Sequence, residues 1–335
     1  MSSFVVALDV GGTSMKGGLV TRSGEIVRTD RRATPRDRGP AAVIATIRSF
    51  IDDLAAAGGG PPEGVGLAVP GLVTAEAALY SANIGWRDVP ATDLVPLDVP
   101  VMLGHDVRTG GLAESVLGAG RELSDFLFLP IGTGIAGATI LQGEPYGGSA
   151  GWGGEIGHIP VFPEGEPCAC GQIGCLETYA SASAVARRYS TRAAASSPAA
   201  PGSPVAASVT ASAAASVTAE RVAALTVSGD PLATEIWGEA VEALSLALAS
   251  YTLLLDPSAI VLGGGLAEAG TVLSAPLAER LQKRLAFRQA PPLRQAALGM
   301  SAGMLGAALL GWRAAGFADA GTTWSLDVLK SPRVA

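Results

Sequence analysis

Cysteine and histidine are scarce in this chain: three cysteines and two histidines in 335 residues. Charged residues make up only 16%, and no lysine- or arginine-rich run interrupts a formal net charge of -7. Without a basic stripe the chain lacks the electrostatic footprint that holds nucleic acid or an anionic membrane surface, so neither partner is expected. No apolar run approaches the roughly 18 residues of a membrane span. The opening MSSFVVALDVGGT shows neither a basic n-region nor a cleavage site, which predicts a cytoplasmic protein. Phosphate ligands stay open through backbone N–H groups rather than bulk charge. With 48% hydrophobic residues the chain can bury a large core, and its length suits two compact domains better than one.

The few cysteines are not scattered. Cys168, Cys170 and Cys175 fall within eight positions, ten residues after His158. Thiols stay reduced in the cytoplasm, and an odd number cannot pair off internally, so the cluster points to metal rather than disulfide. The pattern His-x9-Cys-x-Cys-x4-Cys supplies one imidazole and three thiolates, the donor set of a closed tetrahedral zinc site. With all four positions filled by protein, such a zinc has no place for water, and its expected work is to shape the loop. Glu155 and Glu177 flank that loop. They are either acceptors for sugar hydroxyls or solvated surface carboxylates.

Along the chain, FVVALDVGGT reads as a strand breaking into a Gly-Thr loop, and GGLVTRSGEIV as a second strand and a turn. FLFLPIGTGIAGATILQGEPYGG, from Phe126, repeats the plan about 120 residues later, which suggests two domains of common design. Between them, 40–57 and Val107–Leu117 are helical in pattern, while VGLAVPGLV and VPVMLGHD are strand-like. The alternation predicts an α/β fold. Residues 191–217 are Ala, Ser, Pro, Thr and Gly almost throughout and read as a low-complexity surface insertion. Helical patterns resume at TAERVAAL and PLATEIWGEAVEALSLALASYTLLL, followed by the strand AIVLGGG, the helix GMLGAALLGWRAA and a loosely ordered tail from about 317.

GTGIAG fits the dinucleotide pattern G-x-G-x-x-G, but a Rossmann turn needs a helix next, and ATILQGEPYGG predicts a hairpin turning at Gln142-Gly143. A Walker A motif is absent, because Lys16 follows Met15 rather than glycine. Glycine-rich loops between strands still suit phosphate: backbone N–H groups converge where no Cβ intervenes, and threonine adds a hydroxyl. The expected phosphate loops are therefore Asp9 to Thr13 (with Gly11 and Gly12) and Gly132-Thr133-Gly134; the alternative is that the glycines merely serve tight turns. Gly263, Gly264 and Gly265 follow a strand and offer a nucleoside contact at a helix N-terminus. Asp9 can orient hydrated Mg²⁺ or cap a turn. Asp106, directly before a helix, is either its N-cap or a catalytic base.

LDVGGT, AVPGLV, SANIGW, GTGIAG, GGEIGH, CACGQIGCLE and VLGGGLAEAG stand in the order seen in ROK sugar kinases, and the chain most resembles actinobacterial glucokinases. The resemblance covers about residues 4–190 and 218–315. It implies an actin-like (ribonuclease H-like) fold of two α/β domains with sugar and ATP in the cleft between them. The implied small domain is 1–115 completed by the helix 300–316, and the large one is 116–299, with 317–335 as a tail. It further implies that Asp106 is the general base on a hexose hydroxyl, and that Glu155, His158, Glu177, Asn83 and Gly71 meet the sugar. Lys16 joins the first phosphate loop at ATP, and His158 with the three cysteines holds zinc, one ring nitrogen on the metal and the other toward the anomeric hydroxyl. The expected activity is phosphorylation of glucose at its 6-hydroxyl with ATP and Mg²⁺, in a homo-oligomer.

The chain departs from the family at one place. Asn-Asp is usual there, the asparagine touching the sugar, whereas GHDVRTGG puts His105 in that position. Imidazole is bulkier and can be charged, which opens two neighbouring readings: another hexose or an N-acetylhexosamine, or polyphosphate as donor. Polyphosphate would call for a more basic face. Regulators of the same family carry a helix-turn-helix ahead of the sugar-kinase body; here the first strand begins at about Phe4 and no basic footprint is present, so catalysis is expected instead.

Overall fold

The computed structural model describes residues 3–196 and 217–325. The chain opens with β1 (Phe4–Val10), β2 (Ser14–Thr21) and β3 (Ile26–Ala33), then α1 (Pro40–Gly58) and β4 (Val65–Val69). Three short strands, β5 (Leu72–Val73), β6 (Ala77–Tyr80) and β7 (Arg87–Pro90), form a separate antiparallel sheet. After α2 (Ala91–Leu94) come β8 (Val101–His105), α3 (Asp106–Val116) and β9 (Phe126–Pro130). The predicted hairpin follows: β10 (Ala138–Leu141) pairs antiparallel with β11 (Glu144–Pro145), and Gln142 and Gly143 both turn at positive φ. Then come α4 (Leu176–Ala180), α5 (Ala182–Ser196), α6 (Ala219–Val227), α7 (Pro231–Leu255), β12 (Ile260–Gly263), α8 (Gly264–Ala267), α9 (Thr271–Arg284), β13 (Leu293–Gln295) and α10 (Ala302–Ala314).

These elements divide into two units. The first comprises 1–126, 138–154 and 296–335, the second 127–137 and 155–295. In the first, a five-stranded sheet runs in the order β3-β2-β1-β4-β8. The hairpin β1–β2–β3 is antiparallel, and β1, β4 and β8 are mutually parallel. The sheet is covered on both faces, which explains why β1 reads as a continuous apolar run rather than an alternating one. Val6 and Leu8 pack with Ile47, Phe50 and Leu54 of α1. Val5 and Ala7 pack with Leu112 of α3 and Leu305, Leu309 and Trp312 of α10.

Glu114 links distant chain segments of this unit. Fully buried in α3, its carboxyl accepts N–H groups from Ala119 (2.8 Å), Ala297 (3.2 Å) and Leu298 (2.9 Å). A buried N–H left without a partner costs about 1–3 kcal/mol. Glu114→Ala is therefore expected to lower unfolding stability by about 3 kcal/mol or more. Urea denaturation followed by circular dichroism reads this directly, and a loss below about 1 kcal/mol would show that the bonds are replaceable.

The second unit centres on α7. Asp230 caps it by accepting the Ala233 N–H (2.7 Å), Pro231 opens it, and Asp256 closes it in the left-handed region. By length and composition α7 is apolar enough to cross a membrane, with mean hydropathy 1.3, which corrects the expectation that no run comes near that. Ala240, Leu244 and Leu248 are buried in the core. Glu235, Glu239 and Glu242 are paired with Arg192, Arg188 and Arg280. Those are the contacts of a core helix that covers the parallel strands β9, β12 and β13.

Two boundaries of the sequence reading shift. The helix α5 runs to Ser196, so the stretch 191–196 of the expected insertion is helical, and 197–216 lie outside the described residues. The tail is packed rather than loose through 325: Trp324 is buried, its indole N–H donates to the Arg22 carbonyl (2.8 Å), and Phe317 sits edge-on to Trp312. An Ala- and Gly-rich neighbourhood hid how much one late tryptophan can bury. Residues past 325 lie outside the described residues.

Candidate active site

Parallel register brings three sequence motifs of the first unit to one sheet edge. Asp9 of β1 stands opposite Ala68 of β4, and Val69 of β4 opposite His105 of β8. The carboxyl ends of the three strands therefore present Asp9, Gly71 and His105-Asp106 side by side, the edge where open α/β sheets bind ligands. Gly71 takes φ +98 and lies against the Tyr80 carbonyl. Asn83 is exposed in the turn between β6 and β7, which Gly85 closes by donating to the Ser81 carbonyl (2.8 Å).

The Gly11–Thr13 loop is fixed by a residue the sequence did not single out. Thr34 donates its hydroxyl to the Gly11 carbonyl (2.7 Å) and its N–H to the Thr13 carbonyl (3.0 Å). Lys16 donates to the Met300 carbonyl (3.1 Å). Asp9 lies against the first turn of α10: a β-carbon on Gly303 would stand 2.5 Å from its Oδ2, so this position requires glycine. Burial first, and the Asp106 carboxyl second, push Asp9 up to about 6, against the pull of Lys16.

The cap of α3 is His105, not Asp106. Asp106 is the first helical residue, and its Oδ1 accepts the Val107 N–H (2.8 Å). About 30% of its side chain remains exposed. Burial nevertheless pushes Asp106 up to about 6, against the Val107 N–H and the Arg108 charge. A carboxyl poised there, open on one side, can exchange a proton near neutral pH. The second residue after it, Arg108, is buried and donates to the carbonyls of Gly151 and Gly153 (3.0 Å each), clamping the glycine-rich stretch 147–153 to α3. Nothing in spacing announced that clamp, because its acceptors are backbone atoms.

In the second unit the same logic joins two glycine loops. Gly263 pairs with Pro130 across parallel strands, so Gly132-Thr133-Gly134 and Gly263–Gly265 leave one sheet edge together. Ile131 donates to the Gly263 carbonyl (2.8 Å) and its carbonyl accepts the Leu266 N–H (3.0 Å). Gly264, at φ +75, has no room for a side chain against Ile131. Gly265 and Leu266 also line a cavity of about 350 Å³ with Ala219, Glu220, Ala223, Trp237 and Glu268. The Gly-Thr loop is held from below: Ala182 N–H donates to Gly132 O (2.8 Å) and Ser183 Oγ to Thr133 O (2.5 Å).

His158, Cys168, Cys170 and Cys175 converge, their ligand atoms all within 4.8 Å of one another. Cys170 and Cys175 Sγ are 3.7 Å apart, and Cys168 Sγ is 3.8 Å from His158 Nδ1. A tetrahedral site with Zn–S bonds of about 2.3 Å spaces its ligands by about 3.8 Å, so the four side chains fit zinc. With Nδ1 turned to the thiols, His158 Nε2 lies 3.9 Å from Glu155 Oε2. Glu177, in the first turn of α4, accepts the Ile135 N–H on Oε2 (2.7 Å) and so joins the cysteine loop to the Gly-Thr loop. Arg187 and Arg188 bond Glu166 (2.9 and 2.7 Å), and Tyr179 Oη accepts the Glu166 N–H (2.6 Å), tying the loop to α4 and α5. These anchors also escaped the sequence reading, since each is an ordinary surface residue type.

The ROK family model matches residues 5–313. The chain is 32% identical over 317 residues to a glucokinase of Halalkalibacterium halodurans, covering 92% of this chain and 93% of that protein. It is 32% identical over 320 residues to N-acetylgalactosamine kinase AgaK of Shewanella, covering 91% and 95%. A ROK family glucokinase from Streptomyces griseus, solved with glucose and AMPPNP, superposes with a TM-score of 0.76 at 29% identity, covering 93% of this chain and all of that one (100%).

Proposed function

The chain belongs to the ROK family and has its actin-like α/β fold, and from that premise we propose that it phosphorylates a hexose with ATP, glucose at its 6-hydroxyl foremost. The observation that carries the reading is the carboxyl pair Asp9 and Asp106 at one parallel-sheet edge, both pushed up to about 6. Asp106 orients the sugar hydroxyl and takes its proton late, as the γ-phosphoryl leaves ADP for the sugar oxygen; the transition state is loose, so positioning outweighs covalent chemistry. Glu155, the Nε2 face of His158, Glu177, Asn83 and Gly71 are assigned to the remaining hydroxyls. Gly11, Gly12, Thr13, Lys16, Gly132, Thr133 and Gly134 are assigned to the phosphates, and Gly263–Gly265 to the nucleoside.

Asp9 would hold the water shell of a nucleotide-bound Mg²⁺, which would supply charge neutralisation at the phosphates when bound. His158, Cys168, Cys170 and Cys175 are assigned to hold a structural zinc, which would keep Glu155 and His158 in place when bound. Reduced thiols suit a cytoplasmic protein. A second reading, an N-acetylhexosamine kinase, is favoured by the equal identity to the N-acetylgalactosamine kinase and by His105 where the family has asparagine.

A coupled assay of ADP release over glucose, mannose, fructose, galactose and the N-acetylhexosamines tests the reading. The expected result is the highest kcat/KM with glucose. A preference for an N-acetylhexosamine selects the second reading, and turnover with none of them overturns both.

A further inference from the structure

We propose that His105 and Asp106 share a proton, so that the imidazole governs the ionisation of the carboxyl beside it; His105 is then a positioning residue, and the inference rests on Asp106 being the acceptor base. His105 ends β8, with a side chain only 11% exposed. Its Nδ1 lies 3.3 Å from Asp106 Oδ1 and 3.5 Å from the Arg108 N–H. The backbone contact is at the outer limit of a hydrogen bond and uses the Nδ1 lone pair, so it is given up whenever Nδ1 carries the proton.

The carboxylate contact has a definite electrostatic requirement. A neutral ring with no proton on Nδ1 presents a lone pair to a carboxylate lone pair, which repels. Attraction needs a proton between them, on the imidazole or on the carboxyl. The groups facing this pair are Asp9 from β1, whose charge disfavours a second carboxylate, and Arg108 from α3. His105 also lines a cavity of about 270 Å³ with Thr74, Gly104, Arg108 and Arg313. Arg313 is itself held by Glu144 in a two-pronged ion pair (2.7 and 2.8 Å). Two titratable groups this close lose protons as a pair. With one proton held on Nδ1, Asp106 stays charged and able to accept from a hydroxyl. Only the second proton switches the base off.

The sign follows. An imidazolium next to Asp106 favours its charged form, against the burial that raises it, and so lowers the acid limb of kcat/KM. His105→Asn removes the proton partner yet keeps the helix capped, since asparagine is among the best N-cap residues. In that variant the acid limb is expected to move up by about half a pH unit or more. The direct reading is an NMR titration of ring-labelled histidine, simple in a chain with only two histidines. His105 is expected to titrate at a lower pH in Asp106→Asn than in the wild type. An unchanged acid limb in His105→Asn, or a His105 titration indifferent to Asp106→Asn, overturns the proposal and leaves a helix cap. The NMR arm does not depend on catalysis, so it separates this failure from an error about which group is the base.

Discussion

Asp106→Asn lowers kcat by about 10²–10⁴-fold, the usual effect of removing a positioned general base, while the protein stays folded. Two features of the structure make this a clean test. The amide keeps the oxygen that accepts the Val107 N–H (2.8 Å), so the first turn of α3 retains its local bond. Burial also disfavours the carboxylate form, raising Asp106 to about 6. A group raised in the fold adds stability at low pH that is lost as pH climbs from about 4 through about 6. Above that window the wild type carries the cost of a charged, partly buried carboxylate beside Asp9, and the neutral amide removes it. The variant is therefore expected to melt no lower than wild type at pH 7.5 or above. A kcat within a factor of about three of wild type, with melting intact, would remove Asp106 from the mechanism.

The second large effect concerns zinc. The purified protein is expected to contain about one zinc per chain, because four ligand atoms stand within 4.8 Å of one another in a fully protein-supplied set. Cys170→Ser is the informative variant. Cys170 is exposed, so its loss removes a thiolate with little packing cost, whereas Cys175 is buried. The thiols differ in chemistry too. Cys168 is drawn down to about 7, hydrogen bonds from the Cys170 N–H, Thr178 and His158 outweighing its burial, while burial and the neighbouring thiols push Cys175 up to about 12. Metal binding must displace that proton, so zinc uptake is expected to weaken as pH falls. Losing the ion frees His158 and, through it, Glu155, so KM for sugar is expected to rise at least about tenfold, with a smaller fall in kcat. Elemental analysis beside steady-state kinetics reads both. A zinc-free variant with unchanged KM would make the cluster irrelevant to sugar.

Much of the site was legible in the chain because its signals are local. The four-ligand spacing, the Gly-Thr loops after apolar strands and the turn at Gln142-Gly143 each depend on residues close in sequence. The anchors behind them were not legible. Glu114, Thr34, Arg108 and Glu166 are common residue types, and their partners are backbone atoms or side chains brought near by folding. Trp324 looked like part of a loose tail until the Arg22 carbonyl met its indole N–H.

The sequence by itself determined the α/β class, the strand-loop pairs and the clustering of four candidate metal ligands, since backbone propensity and donor chemistry act over a few residues, whereas Asp106 as candidate base came from the family resemblance. Tertiary structure alone decided that Asp9, Gly71 and Asp106 share one sheet edge, that His105 rather than Asp106 caps α3, and that its imidazole rests against the Asp106 carboxyl. The physical reason is parallel register: strands far apart in the chain align their carboxyl ends only when the sheet is built, and proximity between charges exists only then.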